Sequence, residues 1–398
     1  MKVGMVVHAY YPHDVRVRRQ CEALADRGDV VDLVCLRGDG EQVTERIGNV
    51  NVHRLPLQHQ RGQGVAEYLA EYAGFFILAF LKLSVLTIRN RYPVVQVHNM
   101  PDVLVFTTLL PKILGARVLL DMHDITPELF QSLYGVDERS RFFKLLVFLE
   151  QASLAYADAV MTVNRNIRDL FLTRNPIAHK LEVVMNAPDP RYFRYDGSGA
   201  PHPTEMNRKN PFRLFHHGQI LRRYSFETAL KGFSLARKSI PELEMDIYGD
   251  GEEKYLEEVK GWVKDRGMTD LIRFHDRVPV EQVPELIRRA DLGIVPCKKD
   301  VFVDKVMLPV RLLEYVAMGL PSVCSRVGTV ESYFGDNEIA YYDHDSPEQL
   351  AENIIRLYQN PDLRDDMARK ATNAFRRCEW PRMQKRYYRI LDSLTHCN

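Results

Sequence analysis

The sequence has no excess of either charge. Its 398 residues include 54 lysines and arginines against 53 aspartates and glutamates, which leaves a formal net charge of +1. A nearly neutral chain has no general attraction to a polyanion. We therefore expect no nucleic-acid partner.

Paired cysteine motifs are also missing. The six cysteines form no CxxC pair and have no neighbouring histidines at zinc-binding spacing. Reduced thiols in a cytoplasmic protein account for this pattern. We expect no metal site built from them.

No export signal is recognisable at the N-terminus. The first residues contain one lysine and a short apolar run without a small-residue cleavage site, in the order MKVGMVVHAYYPHD. This pattern predicts a first β-strand and a cytoplasmic location.

Long apolar runs are equally scarce. The run that most resembles a membrane segment, Gly74 to Ile88, is interrupted by Lys82 and is shorter than a span of ~20 residues. It predicts a helix buried against a sheet. The alternative is a helix that lies on a membrane with Phe75 and its neighbours Phe76 and Phe80 inserted.

What the sequence does have is a repeated alternation of short β-branched segments with longer amphipathic ones. The apolar segments of the first half are KVGMVVHA, VVDLVCL, VVQVHNM, RVLLDMH and DAVMTV. Continuous apolar strands joined by helices predict a mostly parallel sheet that is covered on both faces.

The alternation stops at about Asp189 to Pro211, where proline, glycine and polar residues are concentrated, and then resumes. The pattern predicts an α/β protein with two Rossmann-like, doubly wound domains, residues 1–190 and 211–380, and a C-terminal helix, 381–398, packed on the first. Because ligands bind beyond the carboxyl ends of such strands, we expect the domains to face each other across a cleft.

A dinucleotide-binding fingerprint is absent. Gly249 and Gly251 form a GxG without a third glycine, and no acidic residue follows at the required spacing. This argues against a dehydrogenase.

The strongest group of candidate binding residues is Pro309, Arg311, Glu314, Gly319 and Pro321. The proline leads into a helix whose first amides form an anion site, which Arg311 can reinforce. Glu314 lies one turn further along, where its carboxylate can accept two ribose hydroxyls. The alternative is a surface ion pair between Arg311 and Glu314 on an ordinary helix.

The segment around these residues, LPVRLLEYVAMGLPSVCSRVG, closely resembles the signature of retaining glycosyltransferases of family four, which is usually P-x-K-x-x-E-Y-x-A-x-G-x-P. Arg311 replaces the lysine. Further segments match in family order along almost the whole chain, among them VHNMPD, LLDMHDITPELF, HHGQILRRYSFETALKGF and MDIYGDGEE. The resemblance implies the GT-B fold and sugar transfer.

In such enzymes the donor is a nucleoside diphosphate sugar, here a UDP- or GDP-sugar, and neither a metal nor another cofactor is required. The resemblance implies that Arg222 and Arg223, with Arg311, stabilise the departing diphosphate. The alternative for the first two is that they are solvated loop charges.

The resemblance also assigns the rest of the donor side. Glu314 would bind the ribose, Gly218 would lie beside the donor, and Arg277 would lie near the base. The second glutamate of many relatives, which binds the donor sugar, is missing because Val306 stands in its place. Asp304 is the candidate to compensate.

A further departure concerns the lysine that commonly binds phosphate beside a glycine, since these two positions align with Tyr224 and Ser225. Arg222 and Arg223 would have to take over this role. The branch that builds cell-surface polysaccharide often lacks the early glutamate, so we favour that branch.

On the acceptor side, the resemblance places His123 beside the anomeric carbon, in contact with a sugar hydroxyl. The alternative is an ordinary hydrogen-bonded histidine at a strand end. Five more candidates lie in loops after strands: Asp14, Arg16, His98, Asp124 and Glu128.

Together these residues predict a retaining glycosyltransferase that acts on a glycan, lipid-linked or small-molecule hydroxyl at the inner face of the membrane. Two alternatives are a nucleotide-sugar epimerase of the same architecture and a catalytically silent partner subunit. The oligomeric state is left open.

Peripheral membrane contact is suggested by aromatics in 68–80 and by a basic run, Arg376, Arg377, Arg382, Lys385 and Arg386. Packing between domains and a solvated helix face are the alternatives.

Overall fold

A computed structural model of the chain describes residues 1–58, 65–194 and 211–396. The chain divides into two compact units, Met1–Asn186 with Pro381–Asn398 (unit 1) and Ala187–Trp380 (unit 2). Most of the predicted linker, residues 195–210, lies outside the described residues.

Unit 1 contains an eight-stranded sheet. Its strands are β1 (Lys2–Tyr10), β2 (Val30–Leu36), β3 (Thr44–Ile47), β4 (Val50–Leu55), β5 (Val94–His98), β6 (Arg117–Met122), β7 (Ala159–Thr162) and β8 (Leu181–Val183). Their order is β3-β4-β2-β1-β5-β6-β7-β8, and only the β3–β4 pair is antiparallel. Every residue of β5 is buried, as expected for a central strand covered on both faces.

The helices of unit 1 connect these strands. They are α1 (Val15–Asp26), α2 (Val65–Asn90), α3 (Leu109–Ile113), α4 (Thr126–Tyr134), α5 (Arg141–Tyr156) and α6 (Arg165–Arg174), with 3-10 turns at Asp102–Thr108 and Ala178–Lys180. Helix α1 joins β1 to β2 and thus leads toward the β3 edge of the sheet. From β4 onward the connections lead through β5, β6 and β7 toward the β8 edge. Because parallel crossovers are right-handed, α1 lies on one face of the sheet, and α2, α3 and α5 lie on the other.

Unit 2 contains a six-stranded parallel sheet. Its strands are β9 (Phe212–His217), β10 (Leu243–Tyr248), β11 (Ile272–His275), β12 (Leu292–Val295), β13 (Ser322–Ser325) and β14 (Ala340–Tyr342), in the order β11-β10-β9-β12-β13-β14. The helices are α7 (Phe226–Arg237), α8 (Glu253–Lys264), α9 (Val283–Arg288), α10 (Val301–Lys305), α11 (Val310–Ala317), α12 (Gly328–Glu331), α13 (Pro347–Gln359) and α14 (Pro361–Phe375), with 3-10 turns at Arg222–Tyr224 and Arg376–Cys378. The two helix-covered sheets, one parallel and one parallel except for its β3–β4 pair, confirm the predicted Rossmann-like α/β fold.

The last helix, α15 (Trp380–His396), packs on unit 1. Tyr387 Oη donates a hydrogen bond of 2.6 Å to Gln96 Oε1 on β5, and Tyr388 Oη donates to the carbonyl of Ala23 in α1. The helix therefore covers the same face of the sheet as α1.

Helix α2 differs from the prediction in length and burial. It has 26 residues and thus extends beyond the apolar run 74–88. Phe75, Ala79 and Leu83 are fully buried, whereas Ile77 and Leu81 are more than half exposed. The prediction of a buried helix holds for one side only, and the buried Phe75 cannot enter a membrane. The helix is long and apolar enough to span a bilayer, which by itself is weak support for a membrane segment.

Five cysteines lie in the described residues, and all are buried: Cys21, Cys35, Cys297, Cys324 and Cys378.

Candidate functional site

In unit 2 the signature helix α11 holds Arg311 against the end of β9. Arg311 Nη1 lies 2.8 Å from Nε2 of His216, and His216 Nδ1 lies 3.1 Å from the carbonyl oxygen of Ile294. Nδ1 therefore carries the hydrogen, and Nε2 accepts one from the guanidinium. Burial and the Arg311 charge lower the pKa of His216 well below its usual value, so the ring stays neutral. The guanidinium carbon also lies 4.3 Å from the centroid of the Tyr224 ring.

Gly218 lies beside this guanidinium, and its missing side chain leaves the backbone accessible there. Gly218 has φ of +113°, and a Cβ built there would lie 3.5 Å from Arg311 Cζ. A Cβ at Gly249 would lie 1.8 Å from the Gly218 carbonyl oxygen, and one at Gly251 would lie 2.1 Å from that of Ile220. The GxG motif thus lets two strand-end loops touch through their backbones.

Glu314 takes a different partner from Arg311. Its Oε2 lies 2.6 Å from Nε2 of His217, whose Nδ1 lies 3.1 Å from the hydroxyl of Tyr315. No ion pair joins Arg311 to Glu314 in the part of the chain that the structure describes. The alternative of a simple surface pair is therefore wrong. The two consecutive histidines of β9 instead hold the cation and the carboxylate separately.

The two arginines that follow β9 have other contacts. Arg222 is exposed and pairs with Glu258 at 2.6 Å, while the Arg223 guanidinium lies 5.5 Å from the Phe302 ring. Ser225 adopts the left-handed conformation that favours glycine, with φ of 42°, as its alignment with a family glycine requires. The phosphate role of Arg222 and Arg223 stays a prediction, and Arg311 is the cation that side chains of β9 and the following turn hold in place.

On the sugar half of the donor side, the one carboxylate at the predicted positions already has a backbone partner at one of its oxygens. Val306 is buried, and Oδ1 of Asp304 accepts a hydrogen bond of 2.8 Å from the backbone N–H of Gly328 at the start of α12. Asp304 therefore stabilises a helix start, and its role as a substitute for the missing glutamate stays a prediction. Arg277 is exposed in the loop after β11.

In unit 1 the structure brings His98 and His123 together around Asp121, a residue that sequence reasoning did not select. His98 Nδ1 lies 3.1 Å from His123 Nε2 and 3.2 Å from Asp121 Oδ2, and His123 Nε2 lies 3.3 Å from the same oxygen. Gln20 donates a further hydrogen bond of 2.8 Å to Asp121. The donor atoms of these two histidines and Asp121 are close enough to hold a divalent metal ion as well. That the reaction requires no metal stays a prediction.

His123 is a neutral residue with one uncommitted nitrogen. Burial, which the Asp121 charge opposes in part, lowers the pKa of His123 to about 3. Its Nδ1 is buried and has no hydrogen-bond partner among the described residues. Such an orphan atom is costly to bury, so it is a candidate contact for a ligand hydroxyl.

Two further predicted residues lie at the start of α1. Asp14 caps the helix, and its carboxylate accepts hydrogen bonds of 3.2 and 2.9 Å from the Arg16 guanidinium. Burial raises the pKa of Asp14, but Arg16 outweighs this effect and holds it well below its usual range. The charge of Arg16 also acts on His123 and Asp124, so these four predicted residues share one region of unit 1.

Glu128 belongs to a different group. It is buried and forms an ion pair with Arg174, which also lies 3.3 Å from Glu150. These contacts stabilise the interior of unit 1. They leave the predicted acceptor role of Glu128 without support.

Sequence reasoning missed His216, His217, Tyr315 and Asp121. The available signal was the pair of histidines at the end of β9, opposite a helix that carries Arg311 and Glu314 at adjacent turns. Only the packing of α11 beside β9 and β12 shows which histidine meets which side chain.

Two family comparisons together cover most of the chain. Residues 13–187 match the glycosyl transferase 4-like domain, and residues 202–374 match the glycosyl transferases group 1. D-inositol 3-phosphate glycosyltransferase of Paenarthrobacter aurescens is 25% identical over 178 residues, which are 44% of this chain and 42% of that protein. The match thus spans less than half of this curated relative.

Solved structures share the fold over the full length. Sucrose-phosphate synthase from Thermosynechococcus elongatus is 16% identical, with 100% of both chains covered and a TM-score of 0.78. Anabaena HepE in complex with UDP-glucose is 15% identical, with 99% of this chain and 100% of that chain covered and a TM-score of 0.71. WaaG, a glycosyltransferase involved in lipopolysaccharide biosynthesis, is 17% identical, with 99% and 100% covered and a TM-score of 0.69.

Proposed function

The chain belongs to the group 1 glycosyltransferases of GT-B fold, and we propose that it transfers a sugar from a nucleoside diphosphate sugar to a hydroxyl of an acceptor. The observation that carries this proposal is that His216 holds Arg311 in place while His217 holds Glu314. A cation and a carboxylate one helical turn apart match a phosphate followed by a ribose.

Arg311 would act on the leaving group. In the transfer the bond between the anomeric carbon and the phosphate oxygen breaks, and a bond from that carbon to the acceptor oxygen forms. The acceptor proton moves to the departing phosphate, and attack from the same face retains the configuration. A fixed guanidinium beside the start of α11 stabilises the negative charge that develops on the diphosphate.

Glu314 would orient the nucleoside. Among the described residues no hydrogen-bond partner lies at its Oε1, while Oε2 is held by His217. A carboxylate fixed through one oxygen can accept ribose hydroxyls on the other.

In unit 1, His123 Nδ1 is assigned to a sugar hydroxyl, and the group Asp14, Arg16, His98 and Asp124 is assigned to the acceptor. The neutral imidazole serves as a hydrogen-bond partner and not as a charged acid, since its pKa is about 3.

The finer points of the proposal concern substrates and place. A UDP-sugar is the first candidate donor because the solved HepE and E. coli trehalose-6-phosphate relatives contain UDP, UDP-glucose or UDP-2-fluoro glucose. A GDP-sugar is the second. The acceptor class is a glycan, a lipid-linked sugar or a small hydroxyl compound in cell-surface polysaccharide synthesis, at the cytoplasmic face of the membrane.

Incubation of the protein with radiolabelled UDP- and GDP-sugars, with and without a pool of glycan and lipid acceptors, tests the proposal. We expect label in the acceptor and release of nucleoside diphosphate only when both substrates are present. A changed sugar without acceptor would indicate an epimerase. Binding without turnover under any acceptor would indicate a silent subunit.

A further inference from the structure

One face of unit 1 exposes an unusual number of large apolar side chains. Six of them define what we call the α2–α5 surface, and each is between 50 and 72% exposed: Ile77, Leu81, Ile88, Ile113, Leu145 and Phe148. Scattered apolar residues are normal on a protein surface, but a contiguous group marks an interaction site.

These residues lie on neighbouring elements. Helix α2 packs against α3 and against the 3-10 turn Asp102–Thr108, and α5 packs against the same turn. Helices α2, α3 and α5 all cover the sheet face opposite α1. The exposed side chains therefore belong to one side of unit 1.

The outward side of α2 is apolar over most of its length. Ile77, Leu81, Val85 and Ile88 follow one another at spacings of four, four and three residues and are all about half exposed or more. The opposite side of the helix is held in the core by Phe75, Ala79 and Leu83, which are fully buried. A helix fixed in this way can lie on a membrane but cannot leave unit 1 to cross it.

Basic residues accompany the apolar ones near the second half of α2 and the first half of α5, and the exposed acids Asp137 and Glu138 lie just before the second group. Residues 72–91 contain Lys82, Arg89 and Arg91, and residues 139–149 contain Arg139, Arg141 and Lys144, with no aspartate or glutamate in either segment. The whole chain has almost equal numbers of both charges, so this bias is local. Exposed Phe142, Leu145 and Phe148 on α5 alternate with exposed Arg141 and Lys144, which is typical of a helix that binds an anionic membrane surface.

We propose that the α2–α5 surface docks unit 1 on a bilayer that contains anionic phospholipid, with α2 and α5 parallel to the membrane plane. This inference rests on the proposed function, since it gives a glycosyltransferase access to a lipid-linked acceptor. A second copy of the chain is a poorer occupant. In a two-fold dimer both copies would bring the same local excess of basic charge to the interface, whereas an anionic bilayer neutralises that charge.

Arg386, one residue of the basic run that the sequence suggested for docking, does not belong to this surface. Arg386 on α15 donates to the carbonyl of Val183, and α15 covers the sheet face of α1.

Co-sedimentation with vesicles tests the proposal. We expect the full-length protein to pellet with vesicles of mixed phosphatidylcholine and phosphatidylglycerol, to remain in the supernatant with phosphatidylcholine alone, and to bind less at high salt. The triple variant Ile77→Gln, Leu81→Gln, Phe148→Gln should bind the mixed vesicles with an affinity at least about tenfold lower than that of the wild type. The double variant Arg141→Ala, Lys144→Ala should lose several-fold on the same vesicles.

Matched controls come from exposed residues elsewhere. Val43→Gln with Leu172→Gln removes exposed apolar side chains from other parts of unit 1, and Arg288→Ala with Arg289→Ala removes exposed charges from unit 2. Both controls should bind vesicles like the wild type, and all variants should keep the wild-type melting temperature.

Three outcomes overturn docking: wild-type protein that stays in the supernatant, a triple variant that binds as tightly as the wild type, or a lipid-free dimer that the triple variant dissociates. Donor binding, followed by thermal shift with UDP-sugars, separates this proposal from the previous one. Intact donor binding without vesicle binding refutes docking alone. Vesicle binding without any donor binding refutes the proposed function alone.

Discussion

At the residue scale, the most informative side chain is Arg311, because its two contacts explain how arginine can stand where the family usually has lysine. His216 accepts a hydrogen bond from one edge of the guanidinium, and the Tyr224 ring supports its face. A lysine has neither a planar face nor a fixed fork of donors. The resemblance aligns Tyr224 with the family's phosphate-binding lysine, and in this chain its ring supports the arginine.

This arrangement predicts the effects of two substitutions at Tyr224. Tyr224→Leu should weaken UDP binding by about fivefold, since the cation–π contact is worth roughly 1 kcal/mol. Tyr224→Phe keeps the ring and should bind UDP like the wild type. Titration calorimetry measures both, and a Leu variant with unchanged affinity would show that the ring does not position Arg311.

A second residue-scale prediction concerns pH and the fully buried carboxyl of Glu150. Burial, which Arg174 opposes in part, raises the pKa of Glu150 to about 8 from an ordinary value of 4.5. Between these two values the folded protein retains a proton that the unfolded chain has lost. This contribution to stability is complete below pH 4.5 and is lost as the pH rises through about 8.

Urea unfolding at pH 5 and pH 8 tests this sign. Glu150→Gln cannot ionise, so its free energy of unfolding should fall less between the two pH values than that of the wild type, by roughly 3–4 kcal/mol. Glu182→Gln, at an exposed position on β8, should follow the wild type. Equal slopes for Glu150→Gln and the wild type would refute the assignment.

Sequence reasoning predicted the local geometry of the signature helix correctly. Arg311 and Glu314 lie one turn apart on a helix that begins after Pro309, and the structure keeps this geometry. It failed where the partner is distant in sequence. Glu128 is paired with Arg174, 46 residues away, and Arg311 with His216, 95 residues away, and neither contact follows from a local pattern.

At the element scale, the loops after β9 and β10 fit together because two glycines have no side chain. Gly218 N–H donates a hydrogen bond of 2.9 Å to the carbonyl of Tyr248, and Ile220 N–H donates one of 2.8 Å to that of Asp250. The sequence showed that GDG is not a dinucleotide fingerprint. The role of GDG is to let two loops come into contact. Gly218 and Gly249, which lie in these loops, are 31 residues apart in sequence and meet only in the folded sheet.

This packing predicts that Gly249→Ala is strongly destabilising. The added methyl group would overlap the Gly218 carbonyl oxygen at 1.8 Å, so the loop must move, and we expect a loss of several kcal/mol in unfolding free energy together with weaker UDP binding. Gly261→Ala on α8 meets no atom within 4 Å and should stabilise the protein by about 0.5–1 kcal/mol. Thermal unfolding of both variants measures the contrast, and a Gly249→Ala protein as stable as the wild type would contradict it.

Helix α2 shows why an apolar run is an incomplete guide to burial. The run 74–88 correctly indicated a helix, but composition does not distinguish a helix covered on all sides from one that is covered on one side. Here the sheet covers the side of Phe75 and Ala79, while the side of Ile77 and Leu81 remains exposed. This exposed side is the basis of the proposed membrane surface.

At the scale of the whole molecule, two parallel sheets present their strand ends as separate sets of polar residues. Unit 2 offers Arg311, Glu314 and the histidines of β9, and unit 1 offers the His98, Asp121 and His123 group. The alternation of strands and helices was sufficient to predict this architecture. The sugar and the acceptor depend on individual side chains that line the sites, and alternation carries no information about them.

The central claim is that unit 2 binds a nucleoside diphosphate through Arg311 and Glu314, and calorimetric titration of UDP and GDP into the wild type and two variants tests it most directly. The wild type should bind one of the two nucleotides, and Arg311→Ala and Glu314→Ala should each weaken that binding by about tenfold or more, because each removes a charged hydrogen-bond partner. The exposed pair Arg288 and Glu285 on α9 has the same spacing and supplies the matched controls Arg288→Ala and Glu285→Ala, which should bind like the wild type. Wild-type affinity in both Arg311→Ala and Glu314→Ala would contradict the account.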